Sequence, residues 1–158
     1  CDGVFTFNPR VICLIKVADC MPIFFAHQDQ SFYGVVHAGW KGLTKGILKG
    51  ASILFTDHKI KFNEIDIYIG PSIQKCCFEV SKDIIDKFPS WSIKPKRSGK
   101  FMVNLQKIAF EELSAIGFNK KKIKVSSDCS FCEKNNYYSY RRDGEKTGRM
   151  IGIISNES

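Results

Sequence analysis

Residues 11–42 read VICLIKVADCMPIFFAHQDQSFYGVVHAGWKG. Three apolar runs in this stretch decide the fold. Val11–Val17 has the length and composition of a buried strand, and Pro22–Ala26 of a second. The polar Gln28-Asp29-Gln30-Ser31 reads as a turn, and Phe32–Val36 as a third strand that runs into His37-Ala38-Gly39-Trp40. An antiparallel meander of these three strands is the expected arrangement.

Working outward, Gly42 to about Phe55 predicts a helix, with Leu43, Ile47, Leu48, Ala51 and Leu54 on one face. Ile65–Ile69 is a strand closed by Gly70-Pro71, and Ser81 caps a short helix through Phe88. Pro89–Lys100 reads as an irregular basic loop. Asn104–Ile116 has a helical apolar face and Gly117 as its stop. Ile123–Val125, Tyr137–Tyr140 and Arg149–Ile154 are late strands. Strands in groups with helices between them predict a mixed α/β (α+β) fold, helices packed outside the sheet.

The 158 residues suit one domain with a real core. No apolar run approaches the roughly 20 residues that cross a bilayer, so no membrane partner is expected. The first ten residues lack a basic region followed by an apolar one, which argues against a secretory signal. Seven unevenly spaced cysteines in a chain of this size predict reduced thiols and a cytoplasmic setting. The net charge of +8 comes largely from lysines such as Lys94, Lys96, Lys100 and Lys120–Lys122. They lack the interleaved arginines and aromatics of a nucleic-acid surface, so they read as a solubilising exterior.

Chemistry concentrates in few places. Cys20 follows the first strand directly and precedes Met21-Pro22, and His37 ends a strand expected nearby. Gly39 and Gly42 flank Trp40 and allow a sharp turn close to a ligand. A cysteine–histidine pair is either a nucleophile with its base or two ligands of a zinc site that needs a third. Satisfied strand-end residues are the plain alternative. Asp19, beside Cys20, would position a ligand or move a proton. Arg141, Arg142 and Arg149 surround a tight turn, and a guanidinium fork suits phosphate or carboxylate; Arg142 and Arg149 are the expected anion holders. Cys129-x-x-Cys132 is a lone CxxC, and the adjacent Cys76-Cys77 looks badly shaped to complete a metal site, so ordinary reduced cysteines are expected there. His27 and His58 read as surface residues.

Four motifs in order, Ala18-Asp19-Cys20-Met21-Pro22-Ile23, His37-Ala38-Gly39-Trp40-Lys41-Gly42, Gly70-Pro71-Ser72-Ile73 with Cys76-Cys77-Phe78-Glu79-Val80, and Ser139-Tyr140-Arg141-Arg142-Asp143-Gly144 with Thr147-Gly148-Arg149, resemble the YfiH-like family, also called laccase-domain or polyphenol oxidase-like. The resemblance runs from about Asp2 to Ile154. It implies a single YfiH-like domain over residues 1–158 with mixed sheets covered by helices, short of the family's N-terminal segment. It also implies zinc held by one cysteine and two histidines. The expected function is that of a purine nucleoside phosphorylase acting on adenosine, inosine, guanosine and methylthioadenosine, with adenosine deaminase activity. By motif the ligand cysteine falls on Cys20 and one ligand histidine on His37; the other lies upstream of the matched region. Copper is the older family label. Lys41 stands where arginine is usual, and Asn104 where aspartate is. The enzymatic alternatives are a copper-dependent polyphenol oxidase and a metal-free hydrolase using Cys20 and His37.

Overall fold

The computed structural model describes residues 2–156; Cys1, Glu157 and Ser158, which the expected domain includes, lie outside the described residues. In chain order the described elements are β1 (Gly3–Thr6), β2 (Cys13–Val17), β3 (Met21–His27), β4 (Tyr33–Ala38), α1 (Trp40–Thr44), α2 (Ile47–Asp57), β5 (Ile65–Ile69), β6 (Glu79–Val80), β7 (Ile93–Pro95), β8 (Phe101–Val103), α3 (Leu105–Ile116), β9 (Ile123–Val125), α4 (Tyr140–Asp143) and β10 (Met150–Ile154), with short 3₁₀ turns between some of them.

The expected hairpin of β3 and β4 sits at the centre of a five-stranded sheet ordered β1-β4-β3-β5-β9. All neighbours are antiparallel except β5 and β9. The two-residue period sorts its side chains. Met21, Ile23, Phe25, Val36 and Ala38 face a core completed by Leu48 and Phe55 of α2 and Ala109 and Leu113 of α3. Tyr33 and Val35 face the other way, onto Cys13, Ile15 and Ile154.

That second face corrects the expected meander. β2 does not join β3; it pairs with β10 as a separate antiparallel ribbon, Cys13 opposite Ile154 and Val17 opposite Met150. The ribbon lies across the sheet, so the sheet is sandwiched between ribbon and helices. β1, absent from the sequence reading, caps the sheet edge by pairing with β4. Gly34 is what lets it in: a Cβ there would stand 2.2 Å from the Phe5 ring and 2.3 Å from the Val4 carbonyl.

The helix expected from Gly42 is two helices, broken at Gly46, whose φ of +78° is left-handed. Ser81 leads into 3₁₀ turns through Lys87 rather than an α-helix. The expected basic loop contains β7, which pairs with β8, and β8 pairs in turn with β6 in a third sheet. α3 matches the reading. The Asn104 side chain accepts from the Lys107 N–H at 3.0 Å, a cap worth about 1 kcal/mol. Gly117 ends the helix at φ +118°. Tyr137–Tyr140 is not a strand: the Ser139 hydroxyl accepts from the Arg142 N–H and starts α4. Among the described residues no helix is long and apolar enough to cross a membrane.

Candidate active site

Cys20 stands one residue before β3 and His37 one residue before the end of β4. Pro22 pairs with His37 and Met21 with Ala38, so the register continued by one step brings Cys20 opposite Gly39. A Cβ built on Gly39 would lie 2.8 Å from Cys20 Sγ and 4.0 Å from His37 Nε2, so both side chains crowd one bare stretch of backbone. The His37 N–H donates to the Asp2 carbonyl at 2.7 Å, which fixes that end of β4. Burial foremost, and the Asp19 carboxylate next to it, push the Cys20 thiol up to about 11.

Cys20 and His37 line a cleft of about 430 Å³ at the end of the ribbon. This falls in the range of roughly 300–1,000 Å³ typical of small-molecule sites. Trp40, Ile73, Phe78 and Leu105 give it an apolar wall, and Lys16, Arg141 and Arg149 supply charge. The ribbon explains Arg149: with Met150 paired to Val17, the preceding residue is delivered beside Ala18, two positions from Cys20. Arg149 Nη1 donates to the Thr147 and Gly148 carbonyls, both at 2.9 Å, and the guanidinium lies over the Tyr140 ring. Its remaining N–H groups have no hydrogen-bond partner among the described residues.

Arg142 is placed differently. Its guanidinium donates to the carbonyls of Ser130, Phe131 and Tyr137 and to the Asp143 carboxylate, and it does not line the cleft. Arg141, which the sequence reading left in the background, does line it, with Nη1 donating to the Glu79 carbonyl and the fork over the Phe78 ring. The Asp19 carboxylate is buried and accepts from the Ser130 hydroxyl and the Arg141 N–H, each at 2.7 Å. It ties the Cys20 turn to α4 and to the loop after β9. No sequence pattern marks these partners, which lie more than a hundred residues downstream.

His27 is held between Asp29 and Glu64, and His58 packs against the Phe7 ring; neither lines the cleft. Cys76, Cys77, Cys129 and Cys132 do not behave as unrelated thiols. Their sulfurs all lie within 4.8 Å of one another, which corrects the expectation that Cys76-Cys77 is badly shaped to meet the CxxC. The sequence signal was present as two cysteine pairs; the closeness of their loops was not.

A soft thiol and an imidazole on one wall suit zinc, and the tight approach at Gly39 is a cradle that a Cβ would fill. Cys20 and His37 could supply two of the three protein ligands such an ion needs; among the described residues no third His, Cys, Asp or Glu joins them.

A family model described as multi-copper polyphenol oxidoreductase laccase matches residues 1–157. The chain is 34% identical over 161 residues to a purine nucleoside phosphorylase of Haemophilus influenzae, with 97% of this chain and 64% of that protein covered. It is likewise 34% identical to the purine nucleoside phosphorylase YlmD of Geobacillus stearothermophilus, covering 97% of this chain and 59% of that one. The crystal structure of YlmD from Geobacillus stearothermophilus superposes with a TM-score of 0.93 at 31% identity, over 99% of this chain and 61% of the other. The chain thus spans about three-fifths of the length of these relatives. With the family model matched over nearly its whole length and the fold shared with YlmD, the chain belongs to the laccase-domain family that includes YfiH and YlmD.

Proposed function

We propose that this chain carries the catalytic core of a zinc-dependent purine nucleoside phosphorylase that also deaminates adenosine. The observation that carries the reading is the meeting, in one cleft, of the Cys20/His37 pair, an apolar wall and a partly unpartnered arginine. Relatives named purine nucleoside phosphorylase support its phosphorolytic part.

Trp40, Phe78, Ile73 and Leu105 offer flat, apolar surface to a purine ring. Arg149, with Lys16 beside it, holds phosphate against the ribose. One phosphate oxygen bonds to C1′ as the C1′–N9 bond breaks and its electron pair goes to the purine. The purine takes up a proton, and the products are the free base and ribose 1-phosphate, or its 5-methylthio form from methylthioadenosine. Adenosine, inosine, guanosine and methylthioadenosine share the groups this arrangement addresses. In deamination a water oxygen bonds to C6 and ammonia leaves. Cys20 and His37 would hold zinc together with a histidine that the family resemblance puts upstream; when bound, zinc supplies a Lewis acid that polarises oxygen and eases deprotonation of water. Asp19 is a positioning residue, because both its oxygens are already engaged. The six described cysteines form no disulfide, which suits a cytoplasmic setting.

A metal-free hydrolase is the weaker reading, since burial holds the Cys20 thiol neutral at ordinary pH. Copper, the family label's metal, would meet the same two ligands.

The test is base release from inosine with and without inorganic phosphate, alongside metal analysis. Phosphate-dependent formation of hypoxanthine and ribose 1-phosphate is expected. Arg149→Ala should raise the KM for phosphate about tenfold or more, the loss of a charge-assisted pair worth about 1.5–3 kcal/mol. Phosphate-independent hydrolysis that survives chelators and dies on alkylation would establish the cysteine hydrolase instead.

A further inference from the structure

Two loops meet beside the cleft. The first follows β5 and carries Cys76 and Cys77; the second follows β9 and carries Cys129 and Cys132. They are pinned together by the protein itself. Ser72 and Cys129 form a parallel bridge, the Ser130 N–H donates to the Ser72 carbonyl at 3.1 Å, and the Gln74 side chain donates to the Ser126 and Asp128 carbonyls at 3.2 Å each. Gln106 of α3 reaches in to Ser72 Oγ at 2.7 Å. This frame brings the four sulfurs together.

Their separations are informative. Cys76 Sγ lies 3.7 Å from Cys129 Sγ and 3.8 Å from Cys132 Sγ, and Cys77 Sγ lies 3.3 Å from Cys132 Sγ. Four thiolates around one zinc at about 2.3 Å, in tetrahedral array, stand about 3.8 Å apart. A disulfide needs about 2.05 Å and joins sulfurs two by two; here Cys76 and Cys132 each contact two others. The Gln74 N–H points at Cys129 Sγ, as do the N–H groups of Phe131 and Cys132, the environment that a metal-bound thiolate needs.

We propose that Cys76, Cys77, Cys129 and Cys132 bind one zinc ion as a closed, four-thiolate structural site, separate from the Cys20/His37 pair. All four positions are filled by protein, so the ion has no open place for substrate and serves as a clamp. What it clamps is the cleft. Phe78, next to Cys77, is part of the apolar wall. Ser130, next to Cys129, holds the Asp19 carboxylate beside Cys20. The site therefore positions both the wall and the turn that presents Cys20, and its existence does not depend on the nucleoside reading.

The full chain, purified under reducing conditions, should contain one zinc that survives Cys20→Ala and His37→Ala and is lost in Cys129→Ser/Cys132→Ser. Replacing the ion with cobalt should give the intense sulfur-to-metal absorption and red-region bands of a tetrahedral four-thiolate centre. Because the double serine variant can fail to fold, alkylation of the unaltered chain followed by mass spectrometry is the second arm. Cys76, Cys77 and Cys132 should label at least tenfold faster after a strong chelator, while exposed lysines label equally with and without it. Unchanged thiol labelling with and without chelator, together with zinc content unaffected by the double serine change, would overturn the proposal. So would a cobalt spectrum made up entirely of mixed nitrogen and sulfur ligation, with no absorption left after His37→Ala.

Discussion

Replacing Asp19 tests the wiring beneath the cleft. Its carboxylate takes hydrogen bonds from the fully buried Ser130 hydroxyl and from the Arg141 N–H. Its backbone is left-handed, at φ +78°, a region that asparagine tolerates and alanine does not. Asp19→Asn keeps the shape and the conformation but turns one acceptor into an NH₂ donor. One of the two donors then faces a donor, and a hydrogen bond to a charged group, worth about 1.5–3 kcal/mol, is lost. Asp19→Ala loses both bonds and adds roughly 1–2 kcal/mol of backbone strain, for a total of about 4–8 kcal/mol. For a domain of this size about 2–4 °C of Tm accompanies each kcal/mol. Thermal unfolding followed by circular dichroism should show Asp19→Asn melting roughly 3–12 °C lower, with Asp19→Ala lower again or unfolded. Equal melting temperatures for Asp19→Asn and the unaltered chain would mean that the two hydrogen bonds do not hold the Cys20 turn.

Arg142→Ala should lower Tm by several degrees, because three partly buried carbonyls lose their donor, while the KM for phosphate changes little in whatever fraction stays folded. Gly39→Ala forces a Cβ to within 2.8 Å of Cys20 Sγ, so activity and Cys20-dependent metal uptake should both fall by tenfold or more while the circular dichroism spectrum persists. In metal-free protein the Cys20 pKa is raised from 9.0 to about 11, so the stability that its neutral thiol contributes is complete below pH 9 and lost as pH climbs toward 11. Urea midpoints should drop over that interval, by an amount that Cys20→Ser removes; a drop unaffected by the serine change would assign the alkaline transition to other groups.

The parts of the fold that the sequence makes legible are those decided by neighbours along the chain. The turn at Gln28–Ser31 forces β3 and β4 together, and Asn104 and Gly117 fix the ends of α3 through local hydrogen bonds and a left-handed φ. The partner of β2 is not local. Val11–Val17 has the same apolar character whether it pairs with β3 or β10, and only the packing of the finished sheet chooses. The same holds in the site. Cys20 and His37 stand out because strand ends and glycines flag them. The arginines do not sort themselves: Arg142 sits in the motif yet turns to the carbonyls of Ser130, Phe131 and Tyr137, while Arg149 is aimed by ribbon register. The four cysteines are obscured for a related reason. Their loops meet because β5 and β9 run parallel, side by side, and nothing in the spacing of Cys76-Cys77 announces that.

The ribbon also dictates when the cleft takes its final form. β10 (Met150–Ile154) must find β2 (Cys13–Val17), far earlier in the sequence, before Arg149 can stand beside Ala18, two positions from Cys20. Closing so long a loop is slow, because its entropy is lost before any contact forms in return. During synthesis the β3–β4 hairpin and α2 can assemble while the chain is still growing, but the ribbon waits for β10 to clear the ribosome. A nascent chain halted before Met150 would hold much of its core and every residue that lines the cleft, yet lack the pairing that sets Arg149 beside Ala18.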